Sequence, residues 1–179
     1  MPRYVAFFSS INVGGNRMTM ADLRYAFARE EIENVETVVA SGNVLFDYDD
    51  RPTVGLEDLL GQMMTERFDI DSFAAVRTRE ELAAAIESNP FVADGEENKV
   101  HTLFLQRQPD QASFERLVAD QAVRGPERLA LGDRAVYIDF PEGAGSSKLT
   151  SAFLERRLGC RGTARNIRSL RRILAKMEP

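Results

Sequence analysis

The chain has 179 residues, 44% of them hydrophobic and 28% charged, with a formal net charge of −5. That length suffices for one full core or two small ones. No apolar run approaches the roughly 20 residues of a membrane span, so no membrane partner is expected. A single cysteine, Cys160, excludes an internal disulfide and any multi-cysteine metal site. The apolar stretch YVAFF near the start is shorter than the roughly 7–15 apolar residues of a signal peptide. The expected compartment is the cytoplasm. Arginine outnumbers lysine 20 to 3, a bias of GC-rich bacterial coding. Charge is unevenly spread: residues 148–179 carry a net +7 and the first 147 a net −12. Such a basic end either attracts an anionic partner or docks on its own acidic body.

In chain order, Arg3 to Phe8 reads as a strand. Thr19 opens a helix, with Asp22 at capping-box spacing and Leu23, Ala26 and Phe27 at helical spacing. VETVVA and NVLFDY are β-rich runs joined by SGN, a hairpin signal. Leu56, Leu59, Leu60, Met63 and Met64 form a helical stripe, and SFAAV is the next strand. A bridging helix follows, with Thr78 and Glu81 as its capping box. NPFVADGEEN lacks any period and reads as a linker.

The order then repeats. KVHTLFLQ is a strand, and PDQASFERLVADQ a helix with Phe114, Leu117 and Val118 inward. ERLAL and AVYIDF flank GD, a second hairpin signal. SKLTSAFLERRLG is a helix ending at Gly159. GTAR is a last edge strand, and Ile167, Leu170, Leu174 and Met177 mark the inward face of a final helix. The pattern is a split β-α-β unit twice over, with no convincing residue-by-residue repeat. The expected fold is α+β: two tandem ferredoxin-like units packed together. They divide as residues 1–90, with the bridging helix, and 91–179, with the basic C-terminal helix.

In such a unit the strand order is 4-1-3-2. The loop after strand one therefore shares an edge with the hairpin between strands two and three. In the first unit these are INVGGNR and SGN, which assigns Asn12, Gly14, Gly15, Asn16, Ser41 and Asn43 to one ligand-binding edge. In the second unit, PEGAGSSK and the end of strand four assign Ser147, Lys148, Arg165 and Asn166 to another, with the loops about 10 Å apart. Glycine loops that leave a strand and enter a helix hold phosphate or carboxylate through backbone N–H groups. Lys148 and Arg165 would add counter-charge, Ser147 a hydroxyl. Neither loop is a Walker loop or a dinucleotide fingerprint, and each reads equally as a tight turn with a helix cap.

No reaction is assigned by the residues. His101 is the sole histidine, inside a strand, so no metal-binding spacing, catalytic triad or cysteine–histidine pair is supported. DYDD and DGEEN lack the calcium-loop pattern. Catalytic residues and cofactors stay unassigned, and no metal is expected. The aromatic pattern of the RNA-recognition fold is missing from NVLFDY and AVYIDF, and the overall acidity opposes nucleic acid. The expected function is that of a soluble binding protein or an enzyme acting on a small anionic ligand, with phosphorylated compounds among the candidates. The alternative is a protein- or nucleic-acid-interaction module built on the basic C-terminal helix.

YVAFFSSINVGG, MADL, SGNVLF, NPF, YIDFPEGAGSSKLT and ARN together make the chain resemble the bacterial domain-of-unknown-function 1697 family over nearly its whole length. The resemblance implies a cytoplasmic α+β protein of two ferredoxin-like units and carries over no catalytic residue. Ser9 and Ser10 stand where members typically have Arg-Gly, and Ser146 where a long residue often precedes SKL. Ile167 replaces a tryptophan common after the RN pair.

Overall fold

The computed structural model describes residues 1–9 and 18–178, without the side chain of Ser41. Two compact units are distinguishable, Met1–Leu82 with Arg172–Pro179, and Ala83–Arg171.

In the first unit, β1 (Arg3–Phe8), β2 (Glu33–Val38), β3 (Ala40–Asp47) and β4 (Ala74–Thr78) form one antiparallel sheet in the order β2-β3-β1-β4. Helices α1 (Met20–Arg29) and α2 (Thr53–Phe68) cover one face. The alternation of strand side chains decides which face that is. Tyr4, Ala6, Phe8, Val44, Phe46, Ala74 and Val76 meet Leu23 and Phe27 of α1 and Leu56, Leu60, Met63 and Met64 of α2. Helix α1 starts where expected, because Thr19 and Asp22 exchange both bonds of a capping box. The same device opens α3 (Arg79–Glu87), where Thr78 and Glu81 bond each other's backbone N–H.

The second unit repeats the plan. Strands β5 (Val100–Leu105), β6 (Arg128–Gly132), β7 (Ala135–Asp139) and β8 (Gly162–Asn166) pair antiparallel in the order β6-β7-β5-β8. Leu103, Leu105, Val136 and Ile138 pack with Phe114 and Leu117 of α4 (Gln111–Ala122) and Phe153, Leu154 and Leu158 of α5 (Ser151–Leu158). Helix α6 (Ile167–Lys176) follows β8 directly. Both sheets thus have the order 4-1-3-2, and the fold is α+β with two tandem ferredoxin-like units.

The central strands of each sheet are buried on both faces. Val5, Phe7, Leu45 and Ala75 on the far face of the first sheet are fully buried, as are Val100, Thr102, Phe104 and Ala135 on that of the second.

Several local expectations are corrected. SGN does not make the first hairpin turn. The turn falls at Val39, with φ 66°, and Ser41 to Asn43 lie inside β3. Thr37 pairs with Val44 while Val38 pairs with Ala40, so the three residues form an irregularity opposite β2. The second turn falls at Asp133 and Arg134, with Gly132 closing β6. Val118 is exposed, and α4 buries Gln121 instead, whose amide donates to Glu127 Oε2 at 2.8 Å. In α6 and just after it, Ile173 is buried along with the expected Ile167, Leu170 and Met177, and Leu174 is half-buried. The linker segment is packed, with Asn89 and Phe91 buried and the Arg128 guanidinium over the Phe91 ring.

Candidate functional site

Asn12, Gly14, Gly15 and Asn16 lie outside the described residues, as does the Ser41 side chain. The residues that flank that loop are informative. Phe7 pairs with Asn43, so the end of β1 and the start of β3 do share one end of the sheet. Ser9 leaves β1 tied to the segment before β4: its N–H donates to Phe73 O, its Oγ accepts from Phe73 N, and its carbonyl accepts from Ser72 Oγ. Asn43 is buried within β3.

In the second unit the expected edge is only half assembled. Val100 pairs with Asp139 and His101 with Asn166, so the ends of β7 and β8 do lie together at the start of β5. The loop after β7 then travels away. Ser147 Oγ donates to Glu127 Oε1 at 2.6 Å and accepts from Leu149 N, and the Lys148 carbonyl accepts from Arg124. Glu127 adjoins β6 on the far side of the sheet from β8, about 14 Å away at three strand spacings. Arg165 pairs with Thr102 and so projects from the face opposite the α4/α5 core, where Leu149 is buried. Arg165 thus leaves the sheet on the face opposite the core that buries Leu149, the residue after Lys148.

The remaining residues there have structural duties. Asn166 Oδ1 accepts from Ser169 N at 2.8 Å, capping α6. Arg165 Nη1 turns back to Thr163 Oγ1 at 2.7 Å and the Ala164 carbonyl at 2.9 Å. Burial pulls its guanidinium down to about 10, still protonated at neutral pH. Arg77 occupies the matching place in the first unit, paired with Val5 and turned back onto the Val76 carbonyl at 2.8 Å. It also meets Glu57 Oε2 at 2.8 Å, and both groups are buried. The two units therefore repeat at residue level an arginine followed by a helix cap, Arg77-Thr78 and Arg165-Asn166. The sequence offered that signal only as two short Arg-polar pairs before helices.

His101 is half-buried. Its Nδ1 lies 3.1 Å from the Lys99 carbonyl, and its ring meets Phe140 edge-on at 5.0 Å. Burial pushes its pKa below the usual histidine range, against the opposing pull of the Lys99 carbonyl and Asp139. Among the described residues no group of three or more His, Cys, Asp or Glu could hold a metal ion. No helix among them is long and apolar enough to cross a membrane.

An open concavity of the second unit lies at the other end of its sheet. There Gln106 and Arg107 leave β5, while Gly159, Cys160 and Arg161 connect α5 to β8. These five residues, with Ala152, Glu155 and Arg156 of α5, line a cavity of about 570 Å³. Its frame is stapled. Gln106 N donates to the Arg161 carbonyl at 2.9 Å, and Arg107 Nη2 to the Gly159 carbonyl at 2.5 Å. Cys160 Sγ donates to the Arg107 carbonyl at 3.6 Å, and Gly162 N to Glu155 Oε1 at 3.3 Å. Gly159 takes the left-handed backbone, φ 77°, that ends α5 and turns the chain into this wall. Three arginines face one glutamate here. Arg107 and Arg156 have no carboxylate partner among the described residues. Sequence reasoning missed this group, because its members are scattered among 20 arginines and share no motif.

A family model for a protein of unknown function, DUF1697, matches residues 1–137. No functionally curated protein matches the chain. Among solved structures, the conserved bacterial protein SP0830 from Streptococcus pneumoniae is similar in fold, with a TM-score of 0.70 at 21% identity. The match covers 99% of each chain. With the matched region spanning most of its length, the chain belongs to the DUF1697 family of proteins of unknown function.

Proposed function

We propose that the chain is a cytoplasmic protein that binds a small anionic ligand, and that the cavity framed by Arg107, Arg156 and Arg161 is where it does so. The observation that supports this is an open concavity lined by two guanidinium groups that have no carboxylate partner among the described residues. Guanidinium groups offer forked N–H donors that match carboxylate and phosphate oxygens. The anionic class is the one expected from the sequence, and the site is moved from the glycine loops to the opposite end of the second sheet.

Sulfate is a suitable first probe in thermal unfolding, compared with chloride at equal ionic strength. Sulfate also stabilises proteins by exclusion from their surface, so the difference between wild type and Arg107→Gln/Arg156→Gln is the readout. At a hundredfold excess over Kd, binding contributes about 2.7 kcal/mol. For a chain of this length that is a shift of roughly 5–11 °C, absent in the variant. Equal shifts in the two proteins would remove the site.

A second reading has its own observation. On α6, Arg168, Arg172 and Lys176 are exposed at four-residue spacing and have no acidic partner among the described residues. Arg171, by contrast, is paired with Glu97, and Arg157 of α5 with Asp120. The basic end is thus only partly neutralised, which supports a stripe that meets an anionic macromolecule.

A further inference from the structure

Resting on the anion-binding reading, we infer that the ligand of the arginine cavity is a sugar phosphate monoester. Three features of the wall select that class.

The first is charge. A phosphate monoester carries about −1.5 to −2 at neutral pH, against −1 for a single carboxylate. Arg107 and Arg156, both without a carboxylate partner, match a dianion, and Arg161 stands in the same wall. Arg107 is already oriented, because one of its nitrogens is held by the Gly159 carbonyl. Less rotamer freedom is then lost when its other donors meet phosphate oxygens.

The second is space. The concavity, about 570 Å³, is wide open to solvent, so an anion held by the arginines leaves room beside it for an attached organic body.

The third is the chemistry of the remaining wall. It holds no aromatic ring, so nothing is available to stack a nucleobase. It is mixed rather than an apolar slot, with polar and non-polar surface in about equal share. The side-chain amide of Gln106 has no hydrogen-bond partner among the described residues. One oxygen of Glu155 is engaged by Gly162 N and the other is not. An amide that both donates and accepts, beside a carboxylate oxygen that accepts, suits a row of hydroxyl groups. A site built to bond hydroxyls discriminates strongly against analogues that lack them, because its polar groups are otherwise left unpaired.

The test is isothermal titration calorimetry of the full chain with glucose 6-phosphate, glucose, inorganic phosphate, adenosine monophosphate and malonate. Glucose 6-phosphate is expected to bind at least tenfold more tightly than each of the others. Gln106→Ala should bring glucose 6-phosphate down to the affinity of inorganic phosphate and leave the latter unchanged. Arg156→Gln should weaken both by tenfold or more. Both residues are at the surface of the unit, and far-ultraviolet circular dichroism establishes that the variants fold. Tighter binding of malonate or adenosine monophosphate, lost in Arg156→Gln, overturns the sugar phosphate and leaves the anion site standing. Binding by none of the five, or binding indifferent to Arg156→Gln, overturns both.

Discussion

Gly159, in the cavity wall, and Gly162, just beyond it, should fail for different reasons when substituted. Gly159 has φ 77°, and a Cβ built on it meets nothing within 4 Å. The cost of Gly159→Ala is therefore backbone strain alone, about 1–2 kcal/mol for a left-handed residue. A reduction of unfolded-chain freedom, about 0.4–1 kcal/mol, works against it. The net is about 1 kcal/mol, or roughly 2–4 °C in Tm for a chain of this length. Gly162 has no unusual φ, but a Cβ there would stand 2.9 Å from Leu105 Cδ2, 3.0 Å from Leu103 Cδ1 and 3.0 Å from the Phe104 carbonyl. The leucines can adjust, whereas the carbonyl belongs to the paired strand β5 and cannot. Overpacking of that kind costs about 1–3 kcal/mol. The decisive comparison uses asparagine, which tolerates the left-handed region. By thermal and urea unfolding, Gly159→Asn should lie nearer wild type than Gly159→Ala. Gly162→Asn should be worse than Gly162→Ala. If Gly159→Asn proves as damaging as Gly159→Ala, or Gly162→Ala is silent, the separation into conformation and crowding is refuted.

Other outcomes follow from the same geometry. Removing one member of the buried Glu57–Arg77 pair, by Glu57→Gln or Arg77→Met, should cost about 3–5 kcal/mol in urea unfolding. The double variant Glu57→Met/Arg77→Met should cost less than the sum of the singles. Asn166→Ala removes the α6 cap and should lower stability by about 1 kcal/mol, read as a fall in urea midpoint at unchanged slope. His101 has a folded pKa below its unfolded 6.5, so the unfolded chain takes up the proton first as pH falls. Its contribution is present above pH 6.5 and is lost as pH drops from there towards the folded value. Between pH 7.5 and 5.5 His101→Gln should therefore lose less Tm than wild type, and parallel curves would clear His101 of the effect. Arg168→Gln/Arg172→Gln/Lys176→Gln should elute from a heparin column at lower salt than wild type if the α6 stripe meets polyanions. Unchanged elution would discard that reading.

The strand order was legible because period-2 and period-3.6 runs alternate in a pattern that few topologies accommodate. Helix starts were legible where one side chain settles them, as Thr19 with Asp22 and Thr78 with Glu81 do. Turns were less so. SGN carries residues that serve turns and bulges alike, and the left-handed position fell to Val39, a β-branched residue no turn rule selects. Val118 misled because α4 could turn either of two neighbouring stripes inward. The choice was made by Gln121, whose burial depends on Glu127 from a different element. For the site, sheet ends followed from strand order, as the pairing of Val100 with Asp139 and of His101 with Asn166 shows. Which face Lys148 would occupy depended on the path of the connection from Phe140 to Ser151, and a loop has no period from which to read a path. The arginine cavity was invisible for a related reason: its walls are surface residues of three segments, joined only when β5 and β8 pair.

The wall of that cavity also contains Cys160, the one sulfhydryl in the chain. A thiol reagent can consequently give a single adduct, with no engineered cysteine and no competing site to subtract. Since the sulfur is buried and bonded to the Arg107 carbonyl, modification has to wait for that wall to breathe. The rate of labelling is thus a built-in clock for local opening at this corner, and any compound seated against the wall would slow it.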